Sequence, residues 1–170
     1  SFHHVMADGH VVPMWTDLDV TIHTDGSVTA RAANEDLAHV SYHNRATLSN
    51  FADELIEGGY APVSVKVECP WKIKTDAGVG VRLYNVPFNY STPFMVTEGI
   101  VYTAYYEEML INSFWKLPDE LPHTYHLEKG DPFFAMVPFV RREAEADIRV
   151  NDEEFWEEFR SKFPWNRTRY

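Results

Sequence analysis

The clearest pattern in the chain is an alternation of period two. Leu18, Val20 and Ile22 alternate with Asp19, Thr21 and His23, and Val28, Ala30 and Ala32 resume it after Asp25-Gly26. One dry face and one wet face predict a β-hairpin. Asp-Gly supplies the turn, because glycine accepts the positive φ that a tight reversal demands. Val63, Val65 and Val67 repeat the alternation, and strand-like runs follow at 71–74, 79–86, 93–106 and 108–117. Turn-forming pieces at 75–78, 87–93 and 118–123 divide them. Pro70, Pro87 and Pro93 are expected at strand ends or edges, where no ladder donor is lost.

Two segments carry the helical period instead. In 47–59, Ser49 can cap a short helix whose stripe is Phe51 and Leu55, with Ala52 and Ile56 beside it, and Gly58-Gly59 ends it. A polar loop over the end of the sandwich is the other reading of this piece. In 150–164, Asn151 and Glu154 form a capping box, acidic residues fill the first turn, and Pro164 stops the helix. Phe155, Trp156, Phe159 and Phe163 then make one aromatic face. That face docks on the chain's own sheet or on another subunit.

A different signature ends the strand region. Lys129-Gly130-Asp131-Pro132 turns the chain, and Phe133 to Val140 follow as an almost unbroken apolar run. Such a run predicts a central strand buried on both faces, with a bulge or edge exposure near Pro138. Many short strands with Pro and Gly punctuation predict a mainly β protein, an antiparallel β-sandwich of jelly-roll type. It contains one short internal helix and a C-terminal amphipathic helix. Residues 1–142 form the sandwich domain, and 143–170 a charged connector with the helical appendage.

Composition narrows the partners. The net charge is −11 and no long stretch is basic, so nucleic acid is not an expected partner. Lys162, Arg167 and Arg169 make only the last ten residues locally basic. No apolar run approaches the roughly 18–20 residues of a membrane span, and the N-terminal residues lack a signal-peptide pattern. Cys69 is the single cysteine, which excludes an internal disulfide and a cysteine-built zinc site. Its place between a strand and Pro70 reads as a small core residue. The aromatic fraction of 15% exceeds what a core needs, and the surplus suits an oligomer or a ligand face.

Candidate chemistry rests on histidines and tyrosines. His23-Thr24-Asp25 has the H-x-D form of an iron facial triad, but Asp25 is already explained by the hairpin turn. His123 and His126 are spaced i, i+3, which shares a metal only in a turn or helix, since on a strand the two point to opposite faces. A transition metal on this pair is the alternative to having no cofactor. Trp71, Tyr84, Tyr102 and Tyr105 lie in or beside strands and could stack on sugar rings. No nucleophile elbow, P-loop or dinucleotide fingerprint is present. The paired carboxylates Glu107-Glu108 and Asp152-Glu153-Glu154 have structural explanations.

The stretches CPWKIKTDAGVGVRLYNVPFN, EGIVYTAYY and HLEKGDPFFAMVPFVRR, with DGHVVPMWTDLDVTIHTDG before them, resemble an uncharacterised family of β-sandwich proteins of T4-like marine tailed phages. The likeness covers most of residues 9–142. It implies a phage origin, a single sandwich domain, and a place in the host cytoplasm or the virion. It carries no activity and no catalytic residues. A more distant similarity is to the trimeric dUTPases and cupins, which also end a sandwich with a glycine turn and an apolar strand; the dUTPase motifs themselves are missing. The expectation is a non-enzymatic accessory or structural protein, a homo-oligomer joined through Phe155, Trp156, Phe159 and Phe163, with a virion or host partner unidentified. A cupin-like metal enzyme and a glycan-binding module are the alternatives.

Overall fold

A computed structural model describes residues 9–49, 51–89, 91–105 and 108–140, together with Glu153 and Glu157. The aromatic face at Phe155, Trp156, Phe159 and Phe163, and the domain boundary at 142–143, lie outside the described residues. Among the described residues, eleven strands build three antiparallel sheets. The first holds β1 (His10–Pro13), β11 (Pro132–Val140), β6 (Val79–Tyr84) and β8 (Gly99–Val101), in that order. The second holds β10 (His123–Leu127), β2 (Leu18–Ile22) and β3 (Val28–Ala32). The third holds β4 (Val40–His43), β5 (Tyr60–Lys72), β9 (Glu108–Lys116) and β7 (Phe94–Val96). The protein is therefore a mainly β, jelly-roll-like sandwich.

The hairpin forms where the alternation places it. Leu18, Val20 and Ile22 are fully buried, while Asp19 faces water. Gly26 takes φ +79°, and Asp25 accepts the Ser27 backbone N–H at 2.9 Å. The last strand is central, between β1 and β6. Its burial is uneven: Phe133, Phe134 and Ala135 are buried, and Val140 is 63% exposed. Among the described residues β1 pairs as far as Met136, and Pro138, which is exposed, lies beyond that pairing. The preceding turn places Gly130 at φ +105° and ties itself to Met14 by two backbone bonds of 2.8 and 2.9 Å.

Three expectations are corrected. The run 93–106 is not one strand: its first part, β7, pairs with β9, and its second, β8, pairs with β6. The chain changes sheets at Thr97-Glu98. The pieces on either side of Pro70 are not separate strands but one thirteen-residue β5, irregular between Glu68 and Lys72. The helical piece is two helices, α1 (Arg45–Leu48), capped by Asn44, and α2 (Phe51–Glu57). Ser49 links them at φ 53°. α2 buries Ala52 and Leu55 and leaves Phe51 and Ile56 largely exposed.

Aromatic rings join the sheets. Trp71 meets Trp15 edge-on at 4.8 Å, Trp15 meets Phe133 at 6.0 Å, and Phe133 meets Phe94 at 5.5 Å. Phe94 meets Trp115 at 5.0 Å, and Trp115 meets Tyr125 at 5.6 Å. The file thus runs through β5, β11, β7, β9 and β10. The Trp115 indole N–H donates to Ser113 Oγ, whose hydroxyl donates to the Val65 carbonyl, both at 3.0 Å. The Trp15 indole N–H donates to the Leu37 carbonyl at 2.9 Å. Tyr42 of β4 reaches across to β3, where its hydroxyl accepts the Ala30 N–H at 2.7 Å and donates to the Ala30 carbonyl at 3.1 Å. Cys69 is buried, and burial, with Glu68 beside it, pushes its thiol up to about 12, far from a nucleophile's range.

Phe133 stands at the middle of this file, so Phe133→Ala is expected to cost about 3–5 kcal/mol. Urea unfolding followed by tryptophan fluorescence measures it. A loss below about 1 kcal/mol would mean that the sheets do not depend on this ring.

Candidate functional site

The histidines separate. β10 is a regular strand, so His123 and His126 project to opposite faces and cannot share a metal. His123 packs edge-on against Tyr125 at 4.5 Å. His126 Nδ1–H donates to the Asp19 carboxylate at 2.5 Å, across the β10–β2 register. Asp19 raises the His126 pKa above its ordinary value through that bond and its charge, with Asp17 and Glu128 adding to it against a small cost of burial. His23 bonds the Thr29 hydroxyl at 2.8 Å. Hydrogen bonds from the Ser27 hydroxyl and backbone hold Asp25 below the usual carboxylate range. His23 and Asp25 are thus turn residues. Among the described residues, no three His, Cys, Asp or Glu side chains gather as a metal set.

The tyrosines separate too. Trp71 is committed to Trp15. Tyr84 and Tyr102 flank opposite ends of the β6–β8 ladder, where Val81 faces Val101, about 13 Å apart along the strands. Tyr105, 79% exposed, closes a turn onto the Tyr102 carbonyl. Tyr84 thus stands apart from Tyr102.

The structure opens instead at the sheet change. β7 follows β9 only along Phe94–Val96, opposite Ser113–Trp115, and Thr97 N–H adds one bond to the Asn112 carbonyl at 2.8 Å. The chain then leaves for β6. Among the described residues, no strand pairs with Met109–Ile111 on that side, and none lies on the outer side of β8. Between these two bare edges lies a cleft of about 170 Å³. Leu83, Val96, Leu110, Ile111 and Phe134 make its apolar wall, and Thr97, Glu98 and Asn112 its polar rim. Asn85 holds the junction: it accepts the Val96 N–H at 2.7 Å and turns its amide nitrogen toward the Val96 carbonyl and Glu98 Oε1, at 3.4 and 3.5 Å.

Asn85 also borders a second hollow of about 510 Å³, broadly open to solvent, with Tyr84, Phe88, Phe94 and Lys116 around it. Phe88 has φ 64° there, a conformation that a bulky side chain rarely adopts.

None of the cleft was expected from the sequence. Periodicity does not change at Thr97-Glu98, because the segments on both sides are strands. The only local signal was Thr97-Glu98-Gly99 inside an apolar run, where polar residues and a glycine mark a bend.

No family model and no curated protein matches the chain. Among solved structures, a mutant dUTPase from phage phi11 of S. aureus, reported with a structural Mg(II) ion, is similar with a TM-score of 0.40 and 12% identity, over 86% of this chain and 85% of that one. A mutant dUTPase of phage 80alpha is similar with a TM-score of 0.32 and 16% identity, over 56% and 71%. The structures matched are enzymes, against the expectation of a non-enzymatic accessory or structural protein. No substrate, metal or mechanism passes from them to this chain.

The His126–Asp19 pair makes a pH prediction. A raised folded pKa gives stability that is complete below the unfolded value near 6.5 and is lost as pH rises through the folded value. Asp19→Asn should therefore unfold more easily than the parent at pH 5.5, with the difference fading at alkaline pH. Denaturant midpoints across that range measure it, and a difference independent of pH would show that the pair carries no charge linkage.

Proposed function

We propose that the chain binds a single-ring heterocycle, the pyrimidine base of a nucleotide, in the cleft between β8 and β9. The observation that carries this is a ring-sized gap lined by residues of β8 and of β9, at strand edges that no strand pairs among the described residues. Backbone N–H and C=O groups require partners, and neither edge gets them from a strand. A planar ring with donors and acceptors along its rim can meet both edges as an added strand would. Its faces would lie against Leu83, Ile111 and Phe134.

Size selects among ligands. At about 170 Å³ the cleft is smaller than the roughly 300–1,000 Å³ of pockets that enclose drug-sized ligands. One ring fits inside, and the sugar and phosphates of a nucleotide would stay outside. A pyrimidine suits this better than a purine. The deoxyuridine nucleotides are the first probes, because dUTP is the nucleotide in the names of the two phage enzymes.

Isothermal titration of the protein with dUMP, and with dUTP and Mg²⁺, is expected to give saturable binding, with dAMP binding more weakly. Leu110 lines the cleft and is 40% exposed, so Leu110→Trp fills the gap without entering the core. That variant should keep its unfolding midpoint and bind at least about tenfold more weakly, a loss of about 1.4 kcal/mol. Parent protein that binds no pyrimidine, or a variant that binds as well as the parent, overturns the reading.

A further inference from the structure

We infer that Glu98 is the specificity-determining residue of the cleft and selects rings that present an N–H to it. This rests on the cleft being a heterocycle site. Glu98 lies in the two-residue link where the chain passes between the sheets, and it is one of the residues lining the cleft. Among the rim residues it alone carries a charge. An ionised carboxylate accepts hydrogen bonds and cannot donate them.

Its position is held from behind. The Asn85 amide is fixed by the 2.7 Å bond from Val96 N–H and offers its nitrogen to Glu98 Oε1 at 3.5 Å. That long contact steers the carboxylate while leaving most of its acceptor sites open. A ring carrying an imide N–H at that edge gains a charge-assisted bond. A ring with a bare nitrogen or a methyl group there meets a negative charge with nothing to give it. Asn85 is in this arrangement a positioning residue.

The test uses nucleosides, so that phosphate contributes nothing. Deoxyuridine carries the ring N–H, and 3-methyldeoxyuridine replaces it with N–CH₃. The parent protein should prefer deoxyuridine by roughly tenfold or more. Glu98 is exposed, so Glu98→Ala should fold as the parent does, which its unfolding midpoint checks. In that variant the ratio between the two nucleosides should fall to about one, chiefly through loss of deoxyuridine binding. Glu98→Gln, which keeps an acceptor oxygen, should retain part of the preference.

An unchanged ratio in Glu98→Ala would overturn the inference and assign the discrimination to the backbone edges or to the bulk of the methyl group. Equal binding of both nucleosides by the parent would overturn it as well. In either case Leu110→Trp would still lose both ligands, and the cleft would stand as the site. Binding of neither nucleoside by the parent, and no loss in Leu110→Trp with any nucleotide, would overturn the cleft and the inference together.

Discussion

Everything in the sandwich hangs on the file of aromatic rings that crosses it. Three sheets with few backbone bonds between them need another source of registration, and edge-on and tilted ring contacts supply it. Phe133 sits at the centre, meeting Trp15 on one side and Phe94 on the other. Trp115 extends the file to Tyr125 of the small sheet. The indole N–H groups of Trp15 and Trp115 and the Tyr125 hydroxyl have partners, and the Ser113 hydroxyl serves Trp115 and the β5 backbone at once. A file of this kind tolerates little sliding, because a displaced ring would break both packing and a buried hydrogen bond.

That rigidity is what lets the surface part cleanly at Thr97-Glu98. Phe94, just before the sheet change, is held against Phe133 and Trp115. Five residues later, at Gly99, the chain is paired to another sheet. The strand it leaves and the strand it becomes are both anchored, so the gap between them cannot close by relaxation. Asn85 then fixes the one flexible point with a side-chain imitation of a strand pairing. The cleft is a consequence of topology, shaped by a rigid core on one side and an amide clamp on the other.

This division explains what could be read from the sequence. The β2–β3 hairpin was legible because its period and its turn residues agree. The last strand was legible as central, since Phe133, Phe134 and Ala135 are apolar without alternation. Its far half is less buried, with Pro138 and Val140 exposed, and Pro138 was the residue that pointed to exposure there. The sheet change was illegible because pairing is a property of two segments and periodicity belongs to one. The His126–Asp19 pair spans 107 positions, and only the β10–β2 register brings it together. Pro70 was read as a break, yet an irregular stretch of β5 absorbs it.

Tyr42 bears on a different matter, the size of the assembly a sheet can reach. β3 ends its sheet, and a bare edge is a template on which foreign strands can grow. The phenol of Tyr42 occupies the N–H and the C=O of Ala30 together, the two groups that an incoming strand would need at that residue. A single side chain thus impersonates the fourth strand of a three-stranded sheet. The molecule limits its own polymerisation there with a hydroxyl group, at a position where charge or proline would be the commoner guard.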